Sequence, residues 1–506
     1  MKKIRSLVSL LSLTVVLGSC GFNALAASAP PVENTEYNAI HVLDRLSFGP
    51  SPGDIAHVQK VGIQQYIDEQ LNPANLPDPV DVNSPDFKNL NANATDLLTE
   101  FRQFAKDRKE MKAQGKDEEF KGVQMKFYAS TDLQFNKARL MRAIKSPRQL
   151  EEVMTEFWYN HFNVFDKKEA DRALIGCYEQ QAIRPYALTN FKQLVTATCH
   201  HPAMLYYLDN WRNAAPGTPG ARGQFKGLNE NYARELMELH TLGVDGGYSQ
   251  NDVIQLAHVL TGLGIQGANA NQNNQATPVD KYGAVFFANR HDPGDKTILG
   301  HVIKGRGEEE IEEAIDILVK HPSTAHHIAF QLAQYFVADN PPPALVDRLA
   351  NEFKKSDGDI KTVLKALFAS AEFWSPQNEN NKFKSPFRYI VSCFRAAGTE
   401  PVRYEFISAQ LRNQGEPMYG CLTPDGYKNV ETAWLSPDAL LKRIGFATQL
   451  ASGRLGGAQS DPLEFKSLYD TLGGDTFFKD SGPKIAAEPE KLKPALLLGS
   501  PEFMRY

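Results

Sequence analysis

The sequence contains little that would cross a membrane or bind a metal ion. After its first thirty residues, the 506-residue chain has no run of 18 consecutive apolar residues, whereas a membrane-spanning helix needs roughly 20. CxxC, HExxH and a pair of histidines four residues apart are all missing, although these are the spacings that typically bind zinc. We therefore expect a soluble mature chain and predict no metal.

Basic patches and nucleotide-binding motifs are also missing. Lysine and arginine number 55 against 60 acidic residues, which gives a formal net charge of −5, and the basic residues form no dense stripe. Nucleic acid is therefore not an expected partner. A phosphate-binding P-loop and the GxSxG motif of serine hydrolases do not occur. The sequence predicts no cofactor.

The N-terminus has the pattern of an export signal. Three basic residues precede an apolar run from Leu7 to Leu17, which is too short to span a bilayer. Cleavage after Ala26 would follow a small-x-small site, whereas cleavage before Cys20 would follow a lipobox and leave that cysteine lipidated. We favour the lipobox slightly. We expect an exported protein of the periplasm or outer envelope, whose one membrane attachment would be a lipid anchor on Cys20.

Domain organisation follows from composition and hydrophobic periodicity. We predict a signal peptide over 1–26, a disordered tether over 27–38 and a single large helical domain over 39–506. The fold class is mostly α, with one small β-hairpin formed by 282–287 and 297–303. Two long loops, 214–227 and 264–277, flank the most distinctive segment.

Four cysteines follow the signal region, namely Cys177, Cys199, Cys393 and Cys421. An even number in an oxidising compartment allows two sequence-local disulfides, Cys177–Cys199 and Cys393–Cys421. Four buried free thiols are the alternative. The sequence does not decide between them.

The distinctive segment is 229–248. Its first half predicts a helix to Leu242, which Gly243 ends in a left-handed conformation; Ser249 then caps the next helix. On a helical wheel, one face of the first helix is polar and the other is apolar and includes His240. The polar face carries Asn231, Arg234, Glu235 and Glu238. A solvated face with an Arg234–Glu238 pair is the competing interpretation.

Several separate motifs resemble those of the bacterial family called domain of unknown function 1800. They are Leu43-Asp-Arg-Leu-Ser-Phe-Gly-Pro, Phe157-Trp-Tyr-Asn-His-Phe, Ile183-Arg-Pro-Tyr-Ala, His201-Pro-Ala-Met-Leu-Tyr-Tyr-Leu-Asp-Asn, the 229–248 segment, His291-Asp-Pro-Gly-Asp-Lys-Thr-Ile-Leu-Gly, His321-Pro-Ser-Thr-Ala, Lys384-Ser-Pro-Phe and Trp434-Leu-Ser-Pro. The resemblance covers about 41–453. It implies an exported helical protein whose gene often lies beside that of a sulfatase-like partner, and it implies no known activity.

The chain departs from the family pattern at two places. His258 and Leu263 stand where the family usually has Arg and Trp, so His258 is a poor catalytic candidate. The family's Pro-rich apolar turn is replaced by Gly420-Cys-Leu-Thr-Pro-Asp-Gly-Tyr, which puts any function of that loop in doubt.

Carboxylates near a histidine are suited to general acid–base catalysis, because burial moves their pKa values toward neutrality. The catalytic candidates are Glu235, Glu238, His161, His291 and Asp292. The substrate-binding candidates are Asn231, Arg234, His240 and Trp158, with Arg234 placed to hold a carboxylate or sulfate. Each residue also has a structural interpretation: His161 as part of an aromatic cluster, Asp292 as a turn residue, and the carboxylates as members of a buried ion-pair network.

Two functions from different classes follow. The first is an acid/base hydrolase or lyase that acts on an envelope or extracellular polymer such as a polysaccharide. The second is a non-catalytic binding or assembly factor that works with the sulfatase-like partner. A cleft that gathers Glu235, Glu238 and His161 would favour the first, and an exposed apolar patch would favour the second.

Overall fold

The structure is a computed structural model that describes residues 32–225, 227–267, 276–457 and 459–506. The predicted signal peptide, the lipobox cysteine Cys20 and most of the second long loop lie outside these residues. The described part of the predicted tether is partly ordered, because the first helix begins at Glu36 and Val32 packs against the core.

The predicted mostly α fold class is confirmed. The first part of the chain forms helices α1 (Glu36–Leu46), α2 (Asp54–Val61), α3 (Ile63–Leu71), α4 (Ala94–Ala113), α5 (Asp117–Lys145), α6 (Gln149–His161), α7 (Asp171–Tyr178), α8 (Phe191–His200), α9 (Pro202–Tyr207), α10 (Asn231–Glu238) and α11 (Gln250–Val259).

After the strands, the remaining helices are α12 (Glu309–Lys320), α13 (Pro322–Phe336), α14 (Pro343–Lys355), α15 (Ile360–Phe368), α16 (Pro386–Ala397), α17 (Tyr404–Asn413), α18 (Glu431–Trp434), α19 (Pro437–Ala451), α20 (Phe465–Thr471), α21 (Gly474–Phe477), α22 (Gly482–Ala486) and α23 (Lys493–Leu498). Within the described residues, none of the helices combines the length and the apolar character needed to cross a bilayer.

Two small antiparallel sheets interrupt the helices. Strand β1 (Leu263–Ile265) pairs with β2 (Ala284–Phe286), and β3 (Lys296–Ile298) pairs with β4 (His301–Ile303). The predicted strand positions are right, but the predicted pairing between 282–287 and 297–303 is wrong. The second segment folds back on itself because Leu299 and Gly300 both adopt positive φ and form a tight turn.

The middle of the fold is built around α6. Its Trp158 is fully buried, and the indole nitrogen donates a hydrogen bond to the Ala187 carbonyl at 3.0 Å. Phe157 packs edge to face on Trp158 and also on Tyr335 of α13. These aromatic contacts hold α6 against α13. The C-terminal turn of α6 then lies at the cavity between the two helices.

Helix α10 ends four residues before the predicted position, at Glu238. The backbone N–H of His240 bonds to the Glu235 carbonyl at 3.0 Å, five residues back, and the Thr241 hydroxyl donates to the Leu236 carbonyl. These bonds satisfy the last carbonyls of the helix and widen its final turn. Gly243 has the predicted left-handed conformation, with φ +85°. Ser249 and Asp252 form the expected capping box of α11.

All four described cysteines are buried free thiols. The two disulfides considered from the sequence are therefore not formed, and the free-thiol alternative is the one observed. Cys177 lies 3.9 Å from the His201 ring nitrogen. Burial raises the pKa of the Cys177, Cys199 and Cys393 thiols to about 12, so these three remain protonated and unreactive.

Candidate functional site

A cavity of about 540 Å³ opens where the ends of α6 and α10 meet α13 and the start of α16. The segment from Glu416 to Trp434 closes its other side. The side chains that line it are predominantly polar or aromatic: Glu156, Phe157, Asn160, His161, Glu235, Glu238, Leu239, Val244, His327, Gln331, Gln334, Tyr335, Ser385, Arg388, Glu416, Asp425, Tyr427, Lys428, Asn429, Trp434 and Tyr506.

Three of the predicted catalytic residues meet in this cavity, namely Glu235, Glu238 and His161. Glu235 lies on the final turn of α10 and is half-buried. Burial raises the pKa of its carboxyl, and the nearby charges of Glu238 and Asp425 raise it further. Glu238 accepts a hydrogen bond from the Tyr248 hydroxyl at 3.0 Å. A carboxyl with a raised pKa is suited to proton donation near neutral pH.

A second pair of carboxyl groups lines another part of the cavity wall: Glu156 on α6, and Glu416 at the start of the segment that closes the cavity. Burial raises the pKa of Glu416 to about 7, with a further contribution from the charge of Glu156. Glu416 accepts a hydrogen bond from the Phe387 backbone N–H at 2.6 Å, and Glu156 accepts one from the Tyr335 hydroxyl at 2.6 Å. Both carboxylates are therefore held in fixed positions at the cavity wall.

Asp425 enters the cavity on a loop that is docked onto α6. The Asn160 side chain accepts a hydrogen bond from the Tyr427 N–H at 2.7 Å and donates one to the Tyr427 carbonyl at 2.9 Å. Gly426 lies between Asp425 and Tyr427 in the chain and has φ +67°. A Cβ at that position would lie 2.2 Å from the backbone carbonyl oxygen of Asn160. The loop can therefore approach α6 this closely only with glycine at 426.

Asp425 differs from Glu235 in its protonation. Burial alone would raise the pKa of Asp425, but hydrogen bonds from Lys428 and Thr423 outweigh burial and lower it. The Lys428 ammonium lies 2.6 Å from the Asp425 carboxylate. Two neighbouring carboxyl groups with pKa values shifted in opposite directions are the arrangement that acid–base catalysis requires.

Three histidines lie behind the carboxylates. The His161 ring is 6.0 Å from that of His240 and 6.2 Å from that of His327. Burial lowers the pKa of all three, that of His161 to about 3, so they are neutral at physiological pH. Within the described residues, no group of three His, Cys, Asp or Glu side chains is arranged to hold a metal ion.

The predicted substrate-binding residues do not line the cavity. Trp158 and His240 are buried in the core, because α6 and the turn that follows α10 direct these side chains inward. Asn231, at the start of α10, donates to the Leu208 carbonyl at 3.3 Å. Arg234 pairs with Glu230 at 3.3 Å and not with Glu238, and its side chain does not line the cavity.

His291 and Asp292 also lie away from the cavity. His291 is buried with its Nε2 3.1 Å from Glu310, whose other carboxylate oxygen accepts a hydrogen bond from Lys296 at 2.6 Å. Asp292 lies 2.6 Å from His258. The structure therefore does not bring these two residues together with Glu235 and Glu238, and their ion-pair partners are His258 of α11 and Glu310 of α12.

Five charged residues of the cavity were not among the residues predicted from the sequence: Glu156, Arg388, Glu416, Asp425 and Lys428. Glu156 follows the predicted helical spacing of α6, and nothing in its local pattern distinguishes it. Asp425 lies in a Pro-Asp-Gly turn that breaks the family pattern, and that departure was the one available indication. The other three become neighbours of α6 only through the tertiary fold.

Comparison with known proteins gives one match. A family model described as "Protein of unknown function (DUF1800)" matches residues 41–505. No curated protein and no solved structure matches the chain.

The ion-pair network around Glu310 leads to a stability prediction. We expect Glu310→Gln to lower the free energy of unfolding by about 3–5 kcal/mol, because it leaves the buried Lys296 ammonium without its carboxylate. Urea denaturation at neutral pH measures this. Glu309→Gln is the control, since that side chain is 75% exposed and its loss should cost less than about 0.5 kcal/mol.

The same network fixes the sign of a pH effect. Burial alone would raise the pKa of Glu310, but hydrogen bonds from Lys296 and His291 lower it below its ordinary value of 4.5. Its stabilisation is therefore complete above pH 4.5 and is lost as the pH falls through the lowered value. The difference between wild type and Glu310→Gln should shrink in that acid range. A constant difference would contradict the network.

Proposed function

The chain belongs to the DUF1800 family of proteins of unknown function, and we propose that it hydrolyses a polysaccharide by acid–base catalysis in the cavity between α6, α10 and α13. One observation carries the proposal: Glu235 and Asp425 line the same cavity, and the pKa of Glu235 is raised whereas that of Asp425 is lowered. Paired carboxyl groups of this kind are the usual catalysts of glycosidic bond hydrolysis.

In the proposed reaction, Glu235 donates its proton to the glycosidic oxygen as the bond from that oxygen to the anomeric carbon breaks. The bonding electron pair leaves with the oxygen, which becomes a hydroxyl group. Asp425 accepts a proton from a water molecule, and the oxygen of that water bonds to the anomeric carbon. Exchange with solvent returns both carboxyl groups to their starting protonation states.

The surrounding groups support these roles. Burial raises the pKa of Glu235, and the negative charge of Glu238 raises it further. The ring centres of Tyr427 and Trp434 lie 5.8 Å apart, and both rings line the cavity. Trp434 is only partly buried. Aromatic rings exposed beside carboxylates are suited to packing against the apolar faces of sugar rings.

Hydrolysis fits the cavity better than elimination. A lyase removes the proton beside a sugar carboxylate, so it needs cations or hydrogen-bond donors to stabilise the negative charge that develops. The cavity offers two permanent cations against five carboxyl groups, and one of the two, Lys428, is paired with Asp425. The balance of charge therefore favours the hydrolase over the lyase.

We place this activity in the periplasm or outer envelope, on the strength of the N-terminal sequence pattern. Mass spectrometry of the protein from its native host should show the first 26 residues removed, or a lipidated Cys20 as the new N-terminus. An intact Met1 on the mature protein would contradict export.

A second candidate function rests on an exposed apolar face. Leu441 and Ile444 on α19 are 70% and 47% exposed. Beside them, Leu492, which immediately precedes α23, and Leu496 on α23 are 43% and 40% exposed. Such a face is typical of a protein–protein contact. A sulfatase-like envelope protein should then co-purify with the native chain and be lost with Leu441→Asp combined with Ile444→Asp. Co-purification that is unaffected by this change would argue against the face.

The hydrolase is tested with Glu235→Gln and Asp425→Asn. We expect each to lower kcat by about 10²–10⁴-fold with little change in melting temperature, because each removes a proton-transfer group. Release of reducing ends from envelope polysaccharide measures this. Glu230→Gln is the control, since Glu230 pairs with Arg234 and does not line the cavity.

The pH profile separates the two roles. Activity should fall at high pH as Glu235 loses its proton, and at low pH as Asp425 gains one. Glu235→Gln should remove the alkaline limb from the residual activity. Full activity in both variants, or a loss matched by a large drop in melting temperature, would reject the proposed catalysts.

A further inference from the structure

Two neighbouring side chains at the end of α6 contact the two chain segments that carry the proposed catalysts. Asn160 bonds to both the backbone N–H and the carbonyl of Tyr427, two residues after Asp425. The Nε2 of His161 lies 3.1 Å from the carbonyl oxygen of His240, in the turn that follows α10. The last turn of α6 therefore holds the loop on one side and the end of α10 on the other.

The contact of His161 fixes which of its ring nitrogens carries the proton. A carbonyl oxygen can only accept a hydrogen bond, so the Nε2 of His161 is the donor. Burial lowers the pKa of this ring to about 3, so it is neutral at physiological pH and Nδ1 carries no proton. Its single N–H is engaged by the backbone, and so weak a base accepts protons poorly near neutral pH. His161 is therefore suited to holding the backbone rather than to transferring protons.

A second histidine holds the same turn from α13. The Nε2 of His327 lies 3.3 Å from the carbonyl oxygen of Leu239, to which it donates for the same reason. Burial lowers the pKa of His327 as well, so this ring is also neutral. Because α10 ends at Glu238, the carbonyls of Leu239 and His240 lie beyond its hydrogen-bond ladder, and the two histidines supply their donors.

We propose that His161 is a positioning residue of the reaction in the cavity. Together with Asn160, it sets the separation between Glu235 and Asp425. The two side chains are adjacent on one helical turn, so the segments they hold cannot shift apart unless one of these contacts breaks. The separation of two carboxyl groups decides how a glycosidic bond is attacked. The choice of catalysts rests on the proposed function, whereas the positioning rests on the hydrogen bonds alone.

Hydrogen–deuterium exchange of the full chain tests the contacts without any substrate. His161→Leu removes the donor, so the amides of 239–243 should exchange roughly three- to tenfold faster, as expected for the loss of one hydrogen bond. The loop around Asp425 should exchange as in the wild type, because Asn160 still holds it. His161→Gln keeps an N–H at a similar reach and should restore the slow exchange.

Two further variants complete this measurement. His327→Leu removes the donor to the neighbouring carbonyl and should also speed exchange at 239–243, which keeps the test open if His161→Leu does not fold. His326→Leu is the matched control, because that side chain is 59% exposed, and it should change nothing. Unchanged exchange in both His161→Leu and His327→Leu would overturn the proposal.

Kinetics test the effect on the reaction. His161→Leu should lower kcat by about 10²-fold, because a displacement of about 1 Å misaligns catalytic groups, and should change KM by less than about threefold. Burial raises the pKa of Glu235, and the charge of Asp425 adds to this effect. A released turn weakens both influences, so the alkaline limb of the pH profile should move to lower pH. His161→Gln should recover most of kcat and the original limb.

A histidine that only stabilised the end of α10 would give a different result. Its loss would lower the melting temperature and leave kcat per folded molecule and the alkaline limb unchanged, which would overturn the positioning role while hydrolysis stands. Faster exchange at 239–243 in His161→Leu, with no reducing ends released by the wild type, would support the positioning of the turn while the proposed hydrolysis fails.

Discussion

The hydrogen bonds between Asn160 and the backbone of Tyr427 hold the two halves of the cavity together. Asn160 lies in the last turn of α6, where its amide pairs with both the N–H and the carbonyl of Tyr427 at 2.7 and 2.9 Å. Gly426 allows this approach because it has no side chain to meet the α6 backbone. The position of Asp425 in the same cavity as Glu235 therefore depends on one amide and one glycine that are separated by more than 250 residues.

The way α10 ends provides the second half of the site. Hydrogen bonds that reach back five residues, from His240 to Glu235 and from Leu242 to Met237, close the helix four residues earlier than its periodicity indicates. Glu235 and Glu238 consequently lie on a terminal turn that faces a cavity, and not along the side of a longer helix. Because that turn also buries His240, the carboxylates are held rigidly from behind.

The sequence predicted most of the helices and part of the site, and its failures have physical causes. Hydrophobic period and capping residues are local, so α11 with its Ser249 cap was predictable. The cavity gathers Glu235 with Asp425 and Glu416 through contacts between distant segments, which no local pattern encodes. His291 was a candidate because its sequence motif is distinctive. In the structure, that histidine belongs to a buried network with Glu310 and does not line the cavity.

Pairing distinguishes two buried carboxylates that hold this fold from Glu235 and Glu238 of the cavity. Glu152 receives two hydrogen bonds from Arg184, at 2.8 and 2.9 Å, and Glu310 receives one from Lys296, so each buried charge has its counterion within the protein. A buried charge without a partner is costly to keep. Glu235 and Glu238 are only half-buried and have no counterion within 4.0 Å in the described part of the chain. Both carboxyl groups meet open space in the cavity, where a ligand can supply the partner that the protein does not.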